Sequence, residues 1–336
     1  MRSVKVAFFS SKSYDKESFG KVINTQSDVE ILPTYFDARL SHETANLVTG
    51  HDVVCAFVND SLNKETLTAI NQLGVKHICL RCAGFNNVDL AAAKELGIMV
   101  SRVPAYSPES VAEHTVALIL ALNRKIHKAY NRVKDDNFSL AGLLGFDLHG
   151  KTIGVIGTGK IGLALVRILK GFGCHILCHD PNQSDEVKNL GGRYTSLEQI
   201  FTECDVISLH CPLVPDTHHL INEHSLSMMK DGVMLINTSR GGLVDTKAVI
   251  KGLKTQKIGY LGLDVYEMEG DLFFEDKSFE IIQDDVFQRL LTFPNVLITG
   301  HQGFFTQEAL QKIAQTTVAN IIATTTASPI AENTVS

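Results

Sequence analysis

The feature that most constrains this chain is a glycine-rich turn, Gly157–Gly162, which lies between an apolar run and a helical pattern. The run KTIGVIG before the turn is typical of a buried strand, and a second apolar run after the helical pattern ends at Asp180. A G-x-G-x-x-G turn inside one strand–helix–strand unit is typical of a dinucleotide site, because its glycines let the backbone approach a pyrophosphate at a helix N-terminus. The sequence therefore predicts a phosphate-binding turn formed by Gly157, Gly159, Lys160, Ile161 and Gly162.

The acidic residue at the end of the second strand indicates which dinucleotide binds. The carboxylate of Asp180 can accept hydrogen bonds from ribose hydroxyls and would repel a 2′-phosphate. Pro181, Asn182 and Gln183, which follow it, carry no compensating positive charge. NAD is therefore favoured over NADP. In the alternative interpretation, the glycines only allow close packing and Asp180 caps a loop.

Apolar runs alternate with helical patterns along the rest of the chain, which predicts parallel sheets covered by helices. The runs in the first part of the chain are Val4–Phe9, Val53–Val58, His77–Leu80 and Ile98–Val103, and the helical patterns between them include Lys64–Leu73 and Leu90–Leu96. A long helix is expected from Pro108 to Val133, and an amphipathic helix over 306–323 is expected to pack back on the first domain. The fold class is therefore α/β, with two doubly wound parallel-sheet domains. We predict a discontinuous substrate domain over 1–102 and 300–336, and an NAD-binding domain over 103–299.

Composition and charge narrow the possible functions. The net charge of −6 offers no basic surface for nucleic acid or anionic lipid, and no secretory signal or membrane span is recognised. The seven cysteines form no paired clusters, which favours reduced thiols in a cytoplasmic protein, and the Cys79–Cys82 pair falls in a strand pattern. His218 and His219 are adjacent, but no carboxylate at a suitable spacing supports a metal site, so none is predicted.

Polar residues at the ends of later apolar runs are candidates for chemistry, because ligands gather at the carboxyl ends of parallel strands. Arg240 has the planar fork that binds a carboxylate, and His301 is the kind of residue that gives up a proton near neutral pH. A carboxylate such as Glu269 beside the histidine would favour the imidazolium. An arginine after a strand is also compatible with a surface role, and His301 is one of 13 histidines, so the residues alone leave these roles open.

Seven stretches spread over nearly the whole chain share the pattern of one family. They are RCAGFNNVDL at 81–90, VPAYSPESVAEH at 103–114, GKTIGVIGTGKIG at 150–162, DVISLHCPL at 205–213, NTSRGGLVD at 237–245, GLDVYEMEGDLFFED at 262–276 and HQGFFTQEAL at 301–310. These stretches resemble the D-isomer-specific 2-hydroxyacid dehydrogenases, and among them the fermentative D-lactate dehydrogenases. One departure is Gly303, where the lactate enzymes commonly carry alanine.

The resemblance implies a role for each matching residue. Arg240 would bind the substrate carboxylate, His301 would donate the proton, and Glu269 rather than Glu267 would pair with His301. The backbone at Ala83 and Gly84 would form a second carboxylate clamp, and Tyr106 would line the substrate cleft. The residues expected to border the cofactor are Asp264, near the nicotinamide, and Cys211, Pro212, Thr238 and Ser239.

The resemblance also implies a reaction and an architecture. The reaction would be the reversible NADH-dependent reduction of pyruvate to D-lactate. The alternatives are reduction of hydroxypyruvate, phenylpyruvate or a branched 2-keto acid, or an NAD-sensing corepressor-like protein. A Rossmann domain would be inserted in a discontinuous flavodoxin-like domain, and the chain would form a homodimer or homotetramer. The glycine turn at Gly157 argues against L-lactate dehydrogenases, which carry this motif near the chain start.

Overall fold

The chain divides into two compact units. The computed structural model describes residues 2–26, 29–325 and 329–335. Unit 1 contains Met1–Ser107 and Phe305–Ser336, and unit 2 contains Pro108–Phe304. The boundaries predicted at 102/103 and 299/300 lie a few residues before these divisions, and the roles of the two domains stay predictions.

Unit 1 is built on a five-stranded parallel sheet with strand order β2-β1-β3-β4-β5, which is the flavodoxin-like order. The strands are β1 (Arg2–Phe8), β2 (Val29–Tyr35), β3 (Val53–Ala56), β4 (His77–Leu80) and β5 (Met99–Ser101). Every residue of β3 and β4 is buried, as expected where helices cover both faces of a parallel sheet.

Two of the helices that cover the sheet of unit 1 begin at a capping side chain. The helices of this unit are α1 (Ser13–Ile23), α2 (Lys64–Gln72), α3 (Leu90–Glu95) and α12 (Gln307–Thr325). The Asn63 side chain accepts a hydrogen bond from the Thr66 N–H at the start of α2, and Asp89 does the same for α3. Helix α12 packs against α1 and β4, so the C-terminal segment completes unit 1.

Unit 2 is built on a seven-stranded parallel sheet with strand order β12-β11-β10-β9-β6-β7-β8. The strands are β6 (Thr152–Ile156), β7 (His175–His179), β8 (Arg193–Tyr194), β9 (Val206–Leu209), β10 (Val233–Asn237), β11 (Ile258–Leu263) and β12 (Val296–Ile298). The order reverses between β6 and β9, as in Rossmann folds, where the nucleotide binds at that reversal. The predicted fold class is confirmed.

Helices connect these strands and cover the sheet. They are α4 (Pro108–Arg124), α5 (Ile126–Lys134), α6 (Lys160–Gly171), α7 (Asp185–Asn189), α8 (Leu197–Glu203), α9 (Glu223–Met228), α10 (Thr246–Lys254) and α11 (Asp285–Leu291). Helix α4 packs against α6, β10 and β11. Among the described residues, we find no helix with the length and apolar character needed to cross a membrane.

The prediction of a single helix from Pro108 to Val133 is wrong, because this segment forms two helices, α4 and α5. Lys125 has a left-handed φ of 50°, which ends α4 and starts α5 in a new direction. Helix α4 buries its apolar side in the core, whereas α5 buries none of its residues. The apolar periodicity continues through the break, so it could not reveal the change from a core helix to an exposed one.

Candidate active site

The predicted site residues of unit 2 follow the carboxyl ends of neighbouring parallel strands. The glycine turn follows β6, Arg240 follows β10, Asp264 follows β11 and His301 follows β12. Because these strands run in the same direction, their carboxyl ends meet at one edge of the sheet, where ligands bind in this class of fold.

The glycine turn has the shape that a pyrophosphate requires. Gly157 has a left-handed φ of 95°, and a Cβ there would lie 2.4 Å from the Cys211 N atom. A Cβ at Gly162 would lie 2.0 Å from the Gly157 carbonyl oxygen, whereas the space around Gly159 is open. Helix α6 begins at Lys160, so its first N–H groups face this open space. The turn therefore fits a dinucleotide phosphate at a helix N-terminus.

Asp180 is held at the end of β7 in a position suited to the ribose. One carboxylate oxygen accepts the Thr158 N–H at 2.7 Å, and the other accepts the Asn182 N–H at 2.8 Å. The Tyr194 hydroxyl joins the same cluster through the Thr158 Oγ1 atom at 2.7 Å. These contacts fix the carboxylate beside the glycine turn, in agreement with the preference for NAD.

The residues predicted to border the cofactor form the rim next to this turn. The Ser239 Oγ atom donates to the Cys211 carbonyl at 2.8 Å, and the hydroxyls of Thr238 and Thr115 lie 2.9 Å apart. Burial raises the pKa of the Cys211 thiol to about 11, so this side chain is a neutral thiol at physiological pH. Pro212 follows it on the exposed surface.

Arg240 lies on a tight turn whose shape depends on two neighbours, Asn237 and Gly241. The buried Asn237 side chain donates to the Arg240 carbonyl at 2.8 Å and accepts from the Ser239 N–H at 3.0 Å. A Cβ at Gly241 would lie 2.1 Å from the carbonyl carbon of Tyr266. The turn carrying Arg240 therefore packs against the backbone of the segment that leads to Glu269.

Glu269 and His301 form the predicted pair. The His301 Nδ1 atom lies 2.8 Å from the Glu269 Oε1 atom, and the two side chains are 19% and 20% exposed. The other Glu269 oxygen accepts the Tyr266 N–H at 2.9 Å. Because the carboxylate occupies Nδ1, the Nε2 atom is the ring nitrogen of His301 that remains for a further contact.

Asp264 anchors the loop that carries His301. Its carboxylate accepts the Gln302 N–H at 2.9 Å and the Gly303 N–H at 2.8 Å, and it also accepts the Thr299 hydroxyl. Burial alone would raise the pKa of Asp264, but hydrogen bonds from His114 and Thr299 outweigh it and hold this pKa below its usual value.

His114 completes this anchor, and no role was predicted for it. Its Nε2 atom lies 3.2 Å from Asp264 and 3.0 Å from the Thr299 hydroxyl. A Cβ at Gly303 would lie 3.0 Å from the Asp264 carboxylate and 3.4 Å from the His114 ring. Position 303, where the lactate enzymes commonly carry alanine, therefore lies directly against the Asp264 and His114 side chains. The role of Asp264 beside the nicotinamide stays a prediction.

The remaining candidate residues belong to unit 1. Ala83 and Gly84 follow β4, where the Arg102 guanidinium donates to the Ala83 carbonyl at 2.8 Å and the Cys82 thiol donates to the Gly84 carbonyl at 3.2 Å. Tyr106 lies near the end of the first segment of this unit. Their part in substrate binding stays a prediction.

The chain is similar in sequence to known dehydrogenases over most of its length. Residues 116–303 match the model of the D-isomer specific 2-hydroxyacid dehydrogenase NAD binding domain. A D-lactate dehydrogenase of Escherichia coli is 56% identical over 318 residues, which are 95% of this chain and 96% of that protein. A 2-hydroxyacid dehydrogenase homolog of Haemophilus influenzae is 55% identical over 95% of both chains.

Solved structures agree with the sequence comparison. The apo structure of D-lactate dehydrogenase from Escherichia coli matches with a TM-score of 0.89 at 50% identity, over 99% of this chain and 100% of that one. The D-lactate dehydrogenase from Aquifex aeolicus, complexed with NAD and lactic acid, matches with a TM-score of 0.87 at 37% identity, over 98% of both chains. The chain is an NAD-binding member of the D-isomer-specific 2-hydroxyacid dehydrogenase family.

Proposed function

We propose that this protein is a D-lactate dehydrogenase that reduces pyruvate to D-lactate with NADH. The observation that carries the proposal is the Glu269–His301 pair at 2.8 Å, on a segment whose backbone packs against the turn of Arg240. A proton donor and a carboxylate-binding cation are the two groups that reduction of a 2-keto acid requires besides the hydride source.

The reduction is divided among three side chains. Arg240 binds the pyruvate carboxylate through its planar fork, which orients the C2 carbonyl. The Nε2 atom of His301 gives its proton to the carbonyl oxygen as the C2–O double bond opens, and Glu269 stabilises the imidazolium until then. NADH, when bound, supplies the hydride that forms the new C–H bond at C2. The histidine is left neutral, and it regains a proton from solvent before the next turnover.

The glycine turn and the strand ends around it would hold the cofactor. The N–H groups at the start of α6 would bind the pyrophosphate, and Asp180 would bind the adenosine ribose. Thr238, Ser239, Cys211 and Pro212 would border the rest of the molecule, with Asp264 near the nicotinamide. Ala83 and Gly84 would supply further hydrogen bonds to the substrate carboxylate.

Oxidation of NADH with pyruvate, followed by absorbance at saturating substrate, tests the activity. We expect kcat/KM for pyruvate to exceed that for hydroxypyruvate, phenylpyruvate and a branched 2-keto acid, and chiral analysis of the product should show D-lactate. Turnover with one of the other acids but not with pyruvate would contradict the assignment to pyruvate and identify that acid as the substrate. Replacing His301 with Asn should reduce kcat by about 100-fold or more, as expected for the loss of a general acid.

We infer that the enzyme forms a homo-oligomer through α5 and the segment after it. The large apolar side chains of this surface are exposed, namely Ile126, Tyr130, Val133, Phe138, Leu140 and Leu144. Exposed apolar side chains concentrated in one segment favour an interface, and a second copy of the chain is the commonest occupant of such interfaces in soluble enzymes. Analytical ultracentrifugation should show a dimer or tetramer that Leu140→Glu weakens. A wild-type monomer at micromolar concentration would contradict the inference.

We also place the enzyme in the cytoplasm. All seven cysteines are free thiols, and six of them are buried. Free buried thiols are typical of proteins that work in a reducing compartment. Cell fractionation, with NADH-dependent pyruvate reduction as the marker, tests this assignment.

A further inference from the structure

Two carboxylates on one segment pair with two different histidines. Glu269 pairs with His301, whereas Glu267, two residues earlier, faces outward to His219 at 2.6 Å. The His218 ring stacks on the His219 ring with centroids 3.9 Å apart. The mechanism uses Glu269 and His301 but leaves this second cluster without a role.

The local backbone explains why two consecutive histidines lie on the same side. In an extended chain, neighbouring side chains point to opposite sides. His219 instead has a left-handed φ of 50°, a strained conformation for a residue with a side chain, and it turns the two rings toward one point. The His219 N–H donates to the Gly242 carbonyl at 2.8 Å, and Asn222 donates to the His219 carbonyl at 2.9 Å. These bonds hold the strained residue in place.

We propose that His218, His219 and Glu267 form a binding site for a divalent transition-metal ion of the zinc class. One ligand atom from each residue lies within 4.8 Å of the other two, and this is the one group of three such ligands found among the described residues. Two imidazoles and a carboxylate form a common ligand set for zinc, with water in the fourth position. Imidazole nitrogens favour zinc, nickel or copper over magnesium and calcium, which prefer oxygen ligands.

The hydrogen bonds of the cluster suit this ligand role. The Thr246 hydroxyl donates to one oxygen of Glu267 at 3.0 Å, which orients the carboxylate as supporting residues do in metal sites. The other oxygen faces the His219 Nε2 atom. An ion with bonds of about 2.0–2.1 Å can replace the proton shared by these two atoms, after a small outward rotation of the side chains. About a third of each of these two side chains is exposed, so such a rotation meets little resistance.

Calorimetric titration of zinc chloride into the metal-stripped full-length protein tests the site. We expect one zinc ion per chain in the wild type, and an affinity at least tenfold lower in His218→Gln and in Glu267→Gln. His175→Gln is the matched control, because His175 is an exposed histidine at the start of β7. The zinc affinity of this variant should equal that of the wild type. Visible absorption of bound cobalt, which is strong in tetrahedral sites, provides a second measurement of the same losses.

Several results would overturn the proposal. The first is the absence of zinc binding, and the second is equal affinity in the wild type and Glu267→Gln. The third is binding that survives Glu267→Gln but disappears in His301→Asn, because the ion would then lie at the Glu269–His301 pair. Melting temperatures measured without zinc show whether each variant is folded, and His218→Gln changes only an exposed ring. Failure here would leave the proposed reduction of pyruvate intact, since that activity is measured without added metal.

Discussion

Replacing Glu269 with Gln removes the negative charge beside His301 and changes few atoms. In the native protein, the carboxylate receives hydrogen bonds from the His301 Nδ1 atom at 2.8 Å and the Tyr266 N–H at 2.9 Å. An amide can keep the second contact, but it cannot stabilise a positive charge on the imidazole. The substitution therefore tests whether His301 works as an imidazolium supported by a carboxylate.

The structure gives the expected size of the effect. A hydrogen bond to a charged group contributes about 1.5–3 kcal/mol, and each 1.4 kcal/mol corresponds to a factor of about ten. Only 19% of the His301 side chain and 20% of the Glu269 side chain are exposed, so solvent weakens the interaction little. We expect kcat for pyruvate reduction to fall by roughly 10- to 100-fold, with little change in the affinity for NADH.

Steady-state kinetics at saturating NADH, with NADH binding measured separately by fluorescence, checks this prediction. Glu280→Gln is the control, because Glu280 forms an exposed ion pair with Lys277 and should leave kcat within about twofold. A Glu269→Gln enzyme with native kcat would refute the role of the pair. A loss of kcat in Glu267→Gln but not in Glu269→Gln would show that the assignment of the two glutamates is reversed.

Three further predictions concern the cofactor, the Arg240 turn and acid stability. Asp180→Ser should raise kcat/KM for NADPH relative to NADH by at least about tenfold, because the carboxylate no longer repels a 2′-phosphate. Gly241→Ala should reduce kcat/KM for pyruvate by about 100-fold, since its Cβ would lie 2.1 Å from the Tyr266 backbone, whereas Gly171→Ala has open space and should be neutral. Burial lowers the pKa of His77 from 6.5 to about 4, so the neutral ring stabilises the fold above pH 6.5 and this stability is lost as the pH falls toward 4. Urea unfolding should show a loss of roughly 3 kcal/mol over that range, and a smaller loss in His77→Asn.

Much of the fold could be predicted because parallel strands buried on both faces are nearly continuous apolar runs. The run predicted at His77–Leu80 is β4 residue for residue, and the helices predicted over Lys64–Leu73 and Leu90–Leu96 differ from α2 and α3 by one residue each. Strand β2 was not predicted, because its second half is only partly buried and its apolar pattern is weak. Propensity could not show the break at Lys125 either, because lysine is a good helix former.

A part of the site could be predicted from the sequence where all of its groups lie in one short motif. The turn at Gly157–Gly162 is such a motif, since the backbone N–H groups that would bind a phosphate belong to the motif itself. The anchor around Asp264 is different, because it joins β11, the loop after β12 and His114 on α4, which are far apart in the sequence. The same holds for Glu267 and the two adjacent histidines, whose proximity depends on a left-handed residue that no sequence pattern signals.

The anchor also determines how the pH dependence of the reaction should be interpreted. His301 itself has a left-handed φ of 53°, and the two N–H groups that follow it are held by Asp264. Because the pKa of Asp264 lies below its usual value of 3.8, this carboxylate is ionised throughout the neutral range, and its support for the loop is lost only in stronger acid. The hydrogen bonds that the Gln302 and Gly303 N–H groups donate to Asp264 are therefore kept throughout the neutral range. If kcat changes near neutral pH, we therefore expect the cause to lie elsewhere than in the loss of these two hydrogen bonds.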